Sequence, residues 1–153
     1  MSDPRILEEF VDYLRAHVPM TGHMQLAAGE VLPEGVTLCA SLEANLNDKQ
    51  TAFAGTLATL STLSGWTMTS LICKEAELHP DIAVIHSTID YLRPCSDNPI
   101  TARCFRPEPG EAARFLEQLQ QDRRADLELQ AEVRSQNKPS VAFVGRYCAR
   151  LLS

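Results

Sequence analysis

The chain has 153 residues, of which 44% are hydrophobic and 22% charged, and its net charge is −6. That is the profile of a globular protein with a real core in one domain spanning residues 1–153. The acidic balance argues against nucleic acid as the main partner, because gripping phosphates requires a basic surface. Five cysteines (Cys39, Cys73, Cys95, Cys104, Cys148) form an odd set without paired spacing, and those in apolar runs read as small hydrophobes. Met1-Ser2-Asp3-Pro4 leads straight into an amphipathic segment without a signal peptide, so the expected setting is reduced and cytoplasmic.

In chain order, Asp3–Val18 reads as a helix, with Ile6, Leu7, Phe10, Val11 and Leu14 at helical spacing. Ser2 or Asp3 is its expected cap, and Pro19 with Gly22 its stop. Met24–Val31 is less regular, and a Pro33-Glu34-Gly35 turn follows. Val36, Leu38, Ala40 and Leu42 then alternate with Thr37, Cys39, Ser41 and Glu43, the period of a half-buried strand. Ile82–Leu92 and Ile100–Phe105 look like two strands joined through Arg93-Pro94 and a turn at Ser96–Pro99. Pro109–Gln121 reads as a short helix. Ala125–Val133 alternates cleanly, and a turn at Asn137-Lys138-Pro139 leads to a last strand, Val141–Leu151.

Between these halves lies the most unusual segment, Thr51–Cys73, which has no charged residue and no histidine. A surface helix would carry a charged face, so this one is expected to be wrapped by protein on nearly all sides. It is long enough to cross a bilayer. Its many Ser and Thr residues and its two glycines, Gly55 and Gly65, make insertion unfavourable, so no membrane association is expected. The hydroxyls can bond back to carbonyls one turn earlier. A long buried helix with two strands before it and four after, in two antiparallel pairs, gives an α+β hotdog arrangement, a curved sheet wrapped around a central helix. Open sheet edges and an incompletely filled sheet predict a homodimer or a higher homo-oligomer.

The chain has no GxSxG elbow, P-loop, GxGxxG, CxxC or HxxxH spacing, so no metal or bound cofactor is expected. Its four histidines are scattered, and mid-strand His86 reads as a core or interface residue. The polar run Asn45–Gly55 before the buried helix is the candidate site, its bland reading being a capped loop with Thr51 as cap and Asn47 or Asp48 as turn residues. In the functional reading, Ala54 and Gly55 let a ligand approach the backbone. Free N–H groups, the helix dipole and an Asn amide then stabilise a developing oxyanion.

NxNxxxTAFxG (Asn45, Asn47, Thr51-Ala52-Phe53, Gly55) is followed by LxxLxxLxGW (Leu57 to Trp66), IxYLRP (Ile89 to Pro94) and KPSVxFxGRY (Lys138 to Tyr147). Over nearly the whole chain this resembles the hotdog family typified by the YiiD C-terminal domain. Its members are labelled thioesterases and include stand-alone malonyl-acyl carrier protein decarboxylases of the MadB type. Ala54 departs from the glycine found in many relatives. The resemblance implies malonyl-acyl carrier protein decarboxylation to the acetyl form, priming fatty acid synthesis, on a substrate that carries its own phosphopantetheine. It makes Asn45 the side-chain donor and Gly55 or Ala54 the backbone donor to an enolate. Phe53 would desolvate the substrate carboxylate, Thr51 would orient Asn45 or touch the substrate, and Asn47 belongs to the same binding cluster. Decarboxylation requires no base, whereas a hotdog thioesterase generally needs a carboxylate near the helix, and only Asp48 is at hand. The alternatives are acyl-CoA or acyl-carrier hydrolysis and a non-catalytic thioester-binding module. Arg103, Arg106, Arg114, Arg123, Arg124, Arg146 and Arg150 are candidates for meeting a pantetheine phosphate or an acidic carrier.

Overall fold

The computed structural model describes residues 3–152. Helix α1 (Arg5–His17) and short α2 (Pro19–His23) precede strands β1 (Ala27–Leu32) and β2 (Gly35–Ala40). A single 3-10 turn (Glu43–Asn45) and a loop lead into α3 (Ala54–Glu75). Then come β3 (Asp81–Tyr91), β4 (Ile100–Phe105), α4 (Pro109–Asp122), β5 (Arg124–Ser135) and β6 (Lys138–Arg150). The strands form one antiparallel sheet in the order β1-β2-β4-β5-β6-β3. Helix α3 lies in its concave face and touches every strand from β2 to β6. This is the expected hotdog arrangement.

The missing charges of α3 are explained by what surrounds it. Leu57, Leu60, Met68, Leu71 and Ile72 are buried, and so are Ser61, Ser64, Thr67 and Thr69. Buried hydroxyls are costly without partners, and each of these has one. Ser61, Thr67, Thr69 and Ser70 donate 2.8 Å bonds to the carbonyls of Leu57, Leu63, Gly65 and Trp66, one turn back, and Ser64 donates to Ser61. Among the described residues no helix is long and apolar enough to cross a membrane.

Two motifs that stood out in the sequence are packing devices. Tyr147, buried on β6, donates its hydroxyl to the Thr62 carbonyl at 2.7 Å. Its ring lies where a Cβ on Gly65 would be, 2.0 Å from the hydroxyl oxygen. The glycine of LxGW therefore makes room for the tyrosine of GRY, locking the middle of α3 onto the sheet. Burial pushes the Tyr147 phenol up, which keeps it a neutral donor.

Several expectations change. Pro19 and Gly22 do not simply stop α1: Pro19 opens α2, as its fixed φ favours at a first helical turn. Asp3 accepts the Arg5 N–H at 2.9 Å, while Ser2 lies outside the described residues. Strand β2 is buried on both faces rather than half-buried, with Thr37 taking the Glu30 N–H at the irregularity in β1. Strands β3 and β4 are not a pair. β3 pairs only with β6, while β4 sits between β2 and β5. Alternation specifies which face of a strand is buried but not its neighbour, so pairing strands adjacent in sequence misled here. The β5–β6 turn centres on Gln136 and Asn137, both with positive φ, as a two-residue hairpin with primed-turn geometry requires.

As a sheet edge, β3 leaves one row of backbone groups unpaired. Val84, facing inward beside Tyr147, is 40% exposed, and Tyr91 and Leu92 are about half exposed. His86, opposite Arg146, is exposed rather than in the core.

Candidate active site at the tip of the central helix

The polar run folds into a tight platform under the first turn of α3. Leu46 and Ala52 form an isolated antiparallel bridge, and the Phe53 N–H donates to the Asn45 carbonyl at 2.8 Å. Asn47 organises the loop between them. Its Oδ1 accepts from the Lys49 and Thr51 N–H groups, while its Nδ2 donates to Thr51 Oγ1 and the Ala52 carbonyl. These are the local bonds that Asn offers a turn, and they make Asn47 a builder of the loop rather than a free ligand contact.

Asn45 sits buried beneath the tip, as the sequence suggested, but its amide is already in use. Nδ2 donates to the carbonyls of Met24 at 2.9 Å and Ser41 at 2.7 Å, and Oδ1 accepts from the Thr56 hydroxyl at 2.9 Å. Turning the amide over would aim its oxygen at two carbonyls, so the network itself fixes the orientation. An amide nitrogen has two hydrogens, and both are committed. The expected side-chain oxyanion donor is therefore a brace, tying the end of α2, the end of β2 and the first turn of α3 together. Thr56 completes this brace and was missed from sequence, because a Thr two residues inside a Ser/Thr-rich helix carries no distinguishing signal.

The free donors are on the backbone. Phe53 is the N-cap residue, and its carbonyl accepts from Thr56 and Leu57. Among the described residues nothing accepts from the N–H groups of Ala54 and Gly55. Two adjacent donors at the positive end of a 22-residue helix make a place for a partial negative charge. The Thr51 hydroxyl oxygen accepts from Asn47, leaving its own proton without an acceptor among the described residues. It makes no bond to Asn45, so the expected orienting role belongs to Thr56.

Gly55 is needed for a reason other than ligand approach. A Cβ there would lie 2.4 Å from the Phe53 ring, so the glycine allows that ring to fold over the helix tip. Phe53 is itself 54% exposed, and Leu46 is 37% exposed. Within the protomer Phe53 is thus an exposed apolar rim, not the enclosed wall expected for desolvation. The chain leaves β3 at Tyr91 and four residues later reaches Cys95, whose carbonyl accepts the Ala52 N–H at 2.8 Å. The exposed Tyr91 and Leu92 therefore lie at the same end of the molecule as Leu46 and Phe53.

No acidic residue occupies the first turn of α3. Asp48, the carboxylate in the loop, is 82% exposed and paired with Lys49 at 3.4 Å. At the far end of the helix Glu75 holds Arg106 at 2.9 Å. Of the candidate docking arginines, Arg106 is thus engaged, Arg103 is half-buried on β4 and Arg114 is exposed on α4. Arg123, Arg124 and Arg150 meet where α4 ends, β5 starts and β6 finishes. Burial pushes the Cys73 thiol up to about 12 and raises Cys104 still further, so both are inert packing groups.

A family profile described as "Putative thioesterase (yiiD_Cterm)" matches residues 7–151. Among solved structures, a protein of unknown function from Chlorobaculum tepidum TLS is similar at 27% identity and a TM-score of 0.90, over 96% of this chain and 95% of its own. One described as a putative thioesterase from Shewanella oneidensis is 25% identical with a TM-score of 0.88, over 97% and 99% of the two chains. A thioesterase from Haemophilus influenzae, 14% identical with a TM-score of 0.71 over 96% and 92%, shares the fold.

Proposed function

The chain belongs to the YiiD C-terminal family, and on that premise we propose that it is an enzyme decarboxylating a malonyl thioester to the acetyl thioester. The observation that carries this reading is the pair of unpartnered N–H groups, Ala54 and Gly55, at the tip of a helix whose first turn holds no acid. In the reaction the bond between the methylene carbon and the carboxylate breaks. Its electron pair moves into the thioester, CO2 leaves, and negative charge arrives on the thioester oxygen. The two N–H groups accept that charge as hydrogen-bond donors. Such a donor is typically worth about 3–4 kcal/mol, or 10²–10³ in rate. Water then returns a proton to carbon, either directly or through the Thr51 hydroxyl, which passes its proton on and takes one from that water. No general base is used, in keeping with an Asp48 that faces solvent.

In this proposal Asn45 is a positioning residue. It holds the loop and first turn so that both N–H groups converge. The substrate arrives with its own phosphopantetheine on a carrier protein or on coenzyme A, and the product serves to prime fatty acid synthesis in the cytoplasm. A second copy of the chain completes the site by pairing along the open β3 edge. It thereby covers Val84, Tyr91 and Leu92 and closes over the exposed Leu46 and Phe53.

Hydrolysis is the second reading, favoured by the likeness to the Shewanella oneidensis protein described as a putative thioesterase. It requires a carboxylate to activate water, and Asp48 is the one in the tip loop. Mass spectrometry of malonyl carrier protein and malonyl-CoA after incubation separates the readings. Loss of one CO2 with the thioester intact supports decarboxylation, a free thiol supports hydrolysis, and unchanged substrate leaves a binding module.

A further inference from the structure

An opposed pair of arginines stands on the outer face of the sheet, away from the concave face that holds α3. In the β5–β6 ladder Arg124 is directly opposite Arg150, and both are exposed. Their inner neighbours Ala125 and Ala149 are opposite each other and buried, so the two arginines share the outer face. Directly opposed residues in an antiparallel pair have their Cβ atoms only about 5 Å apart, and like charges there are destabilising. Neither guanidinium can shed its proton to relieve this.

The usual relief is a carboxylate, and the ladder offers one. Asp81 lies opposite Arg150 on the other side, in β3. Yet among the described residues no carboxylate oxygen comes within 4.0 Å of Arg124 or Arg150. Asp126, two residues along the same face, and Asp122 also leave them unpaired. The Arg123 carbonyl accepts the Leu151 N–H at 2.9 Å, which fixes a third arginine's backbone beside the pair. Next to the pair is a depression of about 480 Å³, lined by Arg124, Arg150, Asp81, Cys148, Ile85 and Leu152. Ile85 is 48% and Leu152 64% exposed, so the lining combines two guanidinium groups and the Asp81 carboxylate with exposed apolar side chains.

We propose that this depression binds a phosphate dianion, held between the Arg124 and Arg150 guanidinium groups, with Ile85 and Leu152 receiving the organic body that carries the phosphate. Two planar forks present paired N–H donors to tetrahedral oxygens, the geometry in which arginine outperforms other cations. The dianion also turns the opposed charges from a liability into a clamp. Because pairing of β3 with a second copy uses the strand edge, it leaves this outer face open. The inference is independent of the reaction at the helix tip, since its test reads binding alone.

The test titrates the full chain with inorganic phosphate and with adenosine 3′,5′-bisphosphate, following arginine Nε–H resonances and thermal unfolding. Saturable binding with shifts at Arg124 and Arg150 is expected. Losing one charged clamp should weaken binding about tenfold to a hundredfold, the equivalent of one charge-assisted interaction. R124Q and R150Q should each show this loss, and R114Q, on α4, should not. Tighter binding of the bisphosphate than of phosphate identifies an organic phosphoester as the ligand, and equal binding identifies the free anion. Non-saturable shifts, or equal affinity in R124Q, R150Q and R114Q, would overturn the proposal. Gln at these exposed positions keeps the fold, which unchanged unfolding temperatures in phosphate-free buffer would verify.

Discussion

Replacing Asn45 by alanine separates a brace from a donor. The side chain is 7% exposed and makes three hydrogen bonds, to the Met24 and Ser41 carbonyls and from the Thr56 hydroxyl. At about 1 kcal/mol each, their loss amounts to about 3 kcal/mol. For a domain of this size each kcal/mol lowers the unfolding temperature by about 2–4 °C, so Asn45→Ala should unfold about 6–12 °C below the parent. If Asn45 positions the tip, turnover falls with stability, and Thr56→Val, which removes only the hydroxyl on Oδ1, shows a smaller loss of both. Thr56→Ser keeps the hydroxyl and should restore turnover to near the parent. Thermal unfolding by circular dichroism, read beside product formation under saturating malonyl thioester, measures the two together. An Asn45→Ala protein with parental unfolding temperature and turnover reduced by about 10²–10³ would refute the brace and return Asn45 to the role of donor.

Gly65→Ala drives a Cβ into the buried Tyr147 ring and should cost about 1–3 kcal/mol by overpacking, measurable as a lowered denaturant midpoint. The nearest atoms that the Cβ of Gly55→Ala would meet belong to the exposed Phe53 ring, so its midpoint should stay near the parent while turnover falls about tenfold to a hundredfold through a misplaced tip. Val84→Lys puts a charge on the proposed dimer seam. Light scattering should show twice the 16.9 kDa chain mass for the parent and one chain mass for the variant, and a monomeric parent would defeat the seam. Cys73 has its thiol raised from 9.0 to about 12 by burial. The unfolded chain therefore releases that proton first, and the thiol's contribution to stability, complete below pH 9, is lost as pH rises towards 12. Cys73→Ala should make the decline of the denaturant midpoint above pH 9 shallower.

What could be read from sequence was whatever depends on local pattern. The charge-free run at Thr51–Cys73 revealed a buried helix because burial forbids unpaired charge along every turn, and its hydroxyls back-bond as anticipated. The Asn45–Gly55 run was correctly placed at the tip of that helix. Side-chain roles within it were not legible, because they depend on groups distant in the chain. The Met24 carbonyl claims an Asn45 hydrogen from 21 residues away, and the Phe53 ring explains Gly55 by folding back over it. Pairing of β3 with β6 was likewise hidden. An eleven-residue strand looks the same whether its neighbour follows immediately or returns at the end of the chain. The opposed Arg124 and Arg150 became visible only once the β5–β6 register was known.

The most direct test of the central claim is a crystal structure with an acetyl or malonyl thioester analogue whose sulfur is replaced by a methylene or an oxygen. The analogue's carbonyl oxygen should lie within about 2.7–3.1 Å of the Ala54 and Gly55 nitrogens. A carbonyl bound elsewhere, with those two N–H groups facing only water, would contradict it.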